Sequence, residues 1–153
     1  MTEQDRVVRE KPAPRKGPGN EILVVEDHAA NILVVTTMLE YLGYTTDVAT
    51  CGTAAIQKIM ARTLPYTAIL MDVQMRDMDG LETTRQIRAL EKEKRFSHFI
   101  IGATAHALVS DRTRCIEAGM NDYISKPIPL DLLAQKLGYG DGRLWSARPP
   151  SSP

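Results

Sequence analysis

The sequence predicts an α/β fold, a parallel β-sheet covered by helices on both faces. Three observations carry that prediction. Strand-like and helix-like patterns alternate five times between residues 21 and 137. The runs Ile22-Leu23-Val24-Val25 and Ala68-Ile69-Leu70-Met71 are apolar throughout and stop abruptly at acids, as strands buried on both faces do. These 117 central residues hold only three prolines, whereas residues 1–20 and 138–153 are rich in Pro and Gly and read as flexible tails or linkers.

Each element follows in order. Residues 21–25 form the first strand, closed by Glu26 and Asp27. Residues 31–42 place Ile32, Val35, Met38, Leu39 and Leu42 at helical spacing, with Gly43 as a stop. Residues 45–49 are β-rich and predict a second strand. Residues 53–62 carry Ala55, Ile56, Ile59 and Met60 on one side of a helix that Pro65 closes. Residues 68–72 are the third strand. Residues 81–93 form a charged helix with Leu81, Thr84, Ile87, Arg88 and Leu90 along one side. Residues 99–104 are the fourth strand. Residues 111–118 form a short helix, with Ser110 as N-cap and Gly119 beyond its end. Residues 123–125 are a short fifth strand before Lys126-Pro127, and 131–137 a last short helix.

Composition narrows the function. The 153 residues are 43% hydrophobic and 25% charged, ordinary values for a folded domain. Lys+Arg and Asp+Glu are 19 each, so the total charge gives no reason to expect generic nucleic-acid binding. The central region has 12 basic and 15 acidic residues and stands at −3, leaving the tails at +3. No apolar run approaches the roughly 20 residues of a membrane helix, and no secretory h-region is visible. The two cysteines, Cys51 and Cys115, exclude a disulfide scaffold and a four-cysteine zinc site and suit a reducing cytoplasm. Both read as small buried or half-buried residues. His28, His98 and His106 lack zinc-ligand spacing and read as surface or loop residues. Lys92, Lys94 and Arg95 read as a solvated helix C-terminus favoured by the helix dipole.

In open parallel sheets, ligands bind beyond the carboxyl ends of the strands. The residues there are Glu26 and Asp27, Asp72, Thr104 and Lys126. Three carboxylates meeting at one edge repel and call for a hard divalent cation; Mg²⁺ suits oxygen ligands and keeps waters that a phosphate can replace. Lys126 offers a point charge, and Thr104 a hydroxyl, to phosphoryl oxygens. Such a set moves a phosphoryl group by positioning and charge neutralisation.

Five stretches carry a family resemblance: Ile22-Leu23-Val24-Val25-Glu26-Asp27, Met71-Asp72-Val73-Gln74-Met75, Met78-Asp79-Gly80, Ala103-Thr104-Ala105 and Ala118-Gly119-Met120-Asn121-Asp122-Tyr123-Ile124-Ser125-Lys126-Pro127. In this order and at these strand ends, they make residues 21–137 resemble a response-regulator receiver domain, most of all the receivers of hybrid sensor histidine kinases. The resemblance implies a doubly wound, five-stranded, flavodoxin-like sheet of order 2-1-3-4-5. It implies that Asp72 is the phosphoacceptor and that Glu26, Asp27, Asp72 and the backbone carbonyl of Gln74 hold Mg²⁺, with Mn²⁺ as a substitute. Lys126 then pairs with Asp72 and afterwards with the phosphoryl group, Thr104 swings towards that group, and Tyr123 is the switch aromatic. Lys126-Pro127 is the bond the family commonly keeps cis. The implied partner is a histidine kinase or a histidine phosphotransfer domain, without direct nucleic-acid or membrane contact by this segment; a homodimer is compatible. The location implied is the cytoplasm, as a stand-alone receiver or as part of a larger kinase whose linker the Pro/Gly stretch before Glu21 resembles. Sixteen residues after position 137 are too few for an output domain.

Two departures stand out. Arg76 occupies the place where the family usually has proline, which predicts a looser loop that a proline at 76 would tighten. The last helix is short. The alternative reading is a phosphorylation-independent interaction module of the same fold. An aspartyl-nucleophile phosphatase is disfavoured because Gln74 stands where its second aspartate would be, and a nucleotide-binding enzyme because no glycine-rich phosphate loop follows the first strand.

Overall fold

The computed structural model of the protein describes residues 20–94, 96–106 and 108–140, the last two by their backbone alone. The tails expected from composition lie outside these residues, apart from Asn20 and 138–140. The chain runs β1 (Glu21–Val25), α1 (Ala29–Tyr41), β2 (Thr45–Ala49), α2 (Gly52–Met60), β3 (Ala68–Asp72), α3 (Gly80–Lys94), β4 (Ile100–Thr104), α4 (Val109–Ala118), β5 (Asp122–Ser125) and α5 (Leu130–Gly140). The strands form one parallel sheet of order β2-β1-β3-β4-β5, as expected.

Side chains alternate across each strand, so one sheet serves two cores. Leu23, Val25, Ile69, Met71 and Ile100 pack with Ala55 and Ile59 of α2, Leu81 and Ile87 of α3, and Cys115 and Ala118 of α4. Ile22, Val24, Leu70, Ile101 and Ile124 pack on the other face with Val35 and Leu39 of α1 and Leu133 and Leu137 of α5. Each such isoleucine or leucine, fully buried, contributes about 1.5–3 kcal/mol. Cα register brings Val25 level with Met71, Asp72 level with Ala103, and Thr104 level with Ser125. The strand ends therefore share one edge.

Two element ends differ from the expectation. The N-cap of α4 is Leu108, not Ser110; Leu108 has no side-chain cap bond, and the Asp111 amide closes the first turn on the Leu108 carbonyl. Gly119 does end α4, in the left-handed region at φ 109°. Helix α5 continues past Leu137 to Gly140, because Leu133 and Leu137 anchor it in the core against the glycines' weak propensity.

His98 is a buried structural residue, only 2% exposed, rather than a surface one. Its Nδ1 lies 2.8 Å from Glu91 Oε2, which also accepts the His98 amide. Its ring meets Phe96 edge-on. Glu91 Oε1 accepts from Arg88 at 2.7 Å, and Arg88 also donates to the carbonyls of His98 (2.7 Å) and Gly119 (2.8 Å) and to Asn121 Oδ1 (2.7 Å). One guanidinium thus joins α3, the start of β4 and the α4–β5 turn. Lys94 is tied as well, donating to the Met60 carbonyl at the end of α2.

Burial alone would raise the Glu91 carboxyl, but the bonds from His98 and Arg88 outweigh it and hold it below the ordinary glutamate value of 4.5. A carboxyl lowered in this way adds stability above that value and loses it as pH falls through the native value. Glu91→Ala should lower the unfolding free energy by about 3 kcal/mol, since it leaves buried donors unpaired. In urea titrations the deficit of Glu91→Gln relative to the unmodified chain should shrink as pH drops below 4.5.

Candidate functional site

The strand ends assemble the cluster. Glu26 and Asp27 follow β1 and Asp72 closes β3, and one oxygen from each lies within 4.8 Å of the others. Glu26 and Asp72 are buried, 4% and 5% exposed. Lys126, just beyond β5, is held by a 2.7 Å bond from its amide to the Thr104 carbonyl. Its Nζ donates to Glu26 Oε2 at 3.0 Å and to Asp72 Oδ1 at 3.1 Å. Burial raises the Asp72 carboxyl above its ordinary value; Lys126 pulls it back and Glu26 pushes it up again. Burial would lower the Lys126 ammonium, but the two carboxylates overcome this and raise it.

Backbone and side-chain donors fix the carboxylates. Asp72 Oδ1 accepts from the Gln74 amide at 3.1 Å. Glu26 Oε1 accepts from the His28 amide at 3.2 Å and from Asn31 Nδ2 at 3.3 Å. Asp27 Oδ2 accepts from the Arg76 amide at 3.3 Å, while Asp27 Oδ1 is buried without a partner. An all-oxygen set with one buried carboxylate oxygen still unpaired fits a hard divalent cation.

The Arg76 amide overturns the expectation for that loop. A proline at 76 would delete a donor to Asp27 rather than simply stiffen the chain. Gly80 sets the other end of the loop. Its amide bonds the Val73 carbonyl at 3.0 Å, and a Cβ there would stand 2.2 Å from the Asp72 carbonyl oxygen, so only glycine allows α3 to start so close to β3. A cavity of about 330 Å³ opens beside Asp27, lined by Thr50, Cys51, Met75, Arg76 and Asp77.

Thr104 ends β4, 2% exposed, one residue past the Asp72–Ala103 pair. Its hydroxyl donates to the His106 carbonyl and accepts from the His106 amide, both at 3.1 Å. Tyr123 lies on β5 opposite Gly102, outside the carboxylate cluster; its half-buried ring packs against the α2–α3–α4 core, with the Arg112 guanidinium 5.8 Å from its centroid. Lys126-Pro127 is cis. His28 and His106 are exposed, Cys51 is half-buried and Cys115 buried, as expected. Asn31 was missed as a site residue; its signal is a position five residues after Glu26, in the first turn of α1. The Arg76 amide leaves no side-chain signal.

Known proteins resemble this chain in sequence and fold. Residues 22–138 match the family model of the response regulator receiver domain. Hybrid signal transduction histidine kinase L of Dictyostelium discoideum is 42% identical over 112 residues, 71% of this chain and 6% of that protein. Sensor protein GacS of Pseudomonas syringae pv. syringae is 37% identical over 123 residues, 80% of this chain and 13% of that protein. The chain therefore spans a small fraction of the length of these relatives. The receiver domain of sensor histidine kinase PA1611 from Pseudomonas aeruginosa, solved with a magnesium ion in its active-site cleft, is 41% identical with a TM-score of 0.71, over 81% of this chain and 98% of that one. The Ssk1 receiver of Saccharomyces cerevisiae, solved with the histidine phosphotransfer protein Ypd1, is 29% identical with a TM-score of 0.72, over 82% and 90%. With its five parallel strands in the order 2-1-3-4-5 and its match across residues 22–138, this chain belongs to the response regulator receiver domain family.

Proposed function

We propose that the chain is a phosphoacceptor, in which Asp72 takes a phosphoryl group from a histidine on a partner protein and passes the change outward through Thr104 and Tyr123. The observation that best supports this is the buried Asp72 carboxylate, bound to Lys126 amid two further carboxylates. Lys126 and the Gln74 amide both hold Asp72 Oδ1, which leaves Oδ2 as the nucleophile. As Oδ2 forms its bond to phosphorus, the P–N bond breaks and the electron pair leaves with the imidazole nitrogen, giving an acyl phosphate and a histidine. Mg²⁺, or Mn²⁺ in its place, held by Glu26, Asp27, Asp72 and the Gln74 carbonyl, supplies neutralisation of the phosphoryl charge. Lys126 then donates to a phosphoryl oxygen. The Thr104 hydroxyl exchanges its bond to the His106 carbonyl for one to the same group, and Tyr123 turns inward into the space released. The same residues let water remove the group later.

The partner is a histidine kinase or phosphotransfer protein, and the setting is the cytoplasmic part of a hybrid kinase; no described helix is long and apolar enough to cross a membrane. Helix α1 starts three residues after Glu26, and it exposes Leu33 (69%), Val34 (57%) and Tyr41 (51%) on one side. Exposed apolar side chains in the first turns of α1, Leu33 and Val34, suit a protein donor better than a small molecule. The phosphate-independent reading rested on Arg76 loosening the site, and the Arg76 amide instead supports Asp27.

Incubation with a small phosphodonor and Mg²⁺, followed by intact-mass measurement, tests the acceptor. The unmodified chain should gain one phosphoryl mass and Asp72→Asn none, because the amide is isosteric but not nucleophilic. A phosphorylated Asn variant would place the acceptor elsewhere. Leu33→Asp should slow transfer from a phosphohistidine protein about tenfold or more, the loss typical of a central apolar contact. It should leave the small-donor rate unchanged; equal slowing with both donors would remove α1 from the docking face.

A further inference from the structure

We propose that Arg76 is a positioning residue for the cation site and that it acts through its main-chain amide, not its charge. The inference rests on the metal-dependent reading above. Two N–H groups of the loop after β3, two residues apart, reach two different carboxylates: Gln74 donates to Asp72 and Arg76 to Asp27. The loop is closed behind them by the Gly80 amide on the Val73 carbonyl. The two oxygens of Asp27 therefore divide their tasks. Oδ2 is tied to the loop, and the buried, unpartnered Oδ1 is left for the cation.

The guanidinium cannot be the helpful part. Arg76 lines the cavity beside Asp27, and a positive charge on this residue opposes a second cation rather than attracting it. Any support that Arg76 gives Mg²⁺ must come from the N–H. Every residue except proline carries one there. The residue that the resemblance would restore at 76 is thus the one that removes the contact.

Calorimetric titration of the full chain with Mg²⁺ alone separates amide from charge. Arg76→Ala keeps the N–H and should bind at least as tightly as the unmodified chain. Arg76→Pro loses the same charge and also the N–H, and should bind about three- to tenfold more weakly than Arg76→Ala, the range for one ordinary hydrogen bond, as suits a 3.3 Å exposed contact. Equal affinities for the two variants, with Asp27→Asn weakened, overturn the role of Arg76 and keep the cation site. Full Mg²⁺ affinity in Asp27→Asn overturns the cation site itself. If the proline variant does not fold, amide hydrogen exchange decides. Exchange at Arg76 should quicken about threefold or more in Asp27→Ala, once its acceptor is gone; unchanged exchange overturns the proposal.

Discussion

Three carboxylates gathered at one end of a parallel sheet drive one another apart unless a cation sits among them, and Lys126 is that cation. Two unit charges about 4 Å apart near a protein surface interact by about 4 kcal/mol, so the cluster is tolerable only with its counter-charge in place. That requirement reaches through the fold. Lys126 leaves β5, two strand spacings or about 10 Å from β3, and a lysine's long stem is needed to cover that span. The distance is set by β4 lying between them and by the register that levels Asp72 with Ala103 and Thr104 with Ser125. The two cores that hold the strands in that register are thus part of the site's electrostatics.

Much of this was legible in the sequence because it is written in local pattern. Apolar runs that end in acids named both the strands and the edge where Glu26, Asp27 and Asp72 meet. Helical spacing found the buried sides of α1, α2 and α3, with helix starts displaced by a residue or two. What stayed hidden depends on partners distant in sequence or on backbone. Ser110 looks like a cap because its hydroxyl could serve as one, yet α4 begins at Val109, after an N-cap, Leu108, that makes no side-chain bond. His98 looks like a loop residue until Glu91 and Arg88 close over it. The bond from the Arg76 amide spans 49 residues and leaves no trace in residue type. Glycines at 138 and 140 suggested an end to α5 that core packing at Leu133 and Leu137 overrides.

The two ends of α4 are held very differently. At Gly119 the Arg88 guanidinium grips the carbonyl, and the Gly119 and Met120 amides turn back onto Ile116 and Cys115. At the other end Leu108 and Val109 are 68% and 81% exposed, and the chain there is joined through His106 to the Thr104 hydroxyl. If Thr104 moves as proposed, it acts on the end of the helix with fewer contacts, and the bonds that hold the other end lie ten residues on. In the proposed switch, Gly119 would then be the fixed end about which α4 pivots. On that proposal, the movement that follows a small displacement of the Thr104 hydroxyl would be largest at the exposed Leu108–Val109 tip.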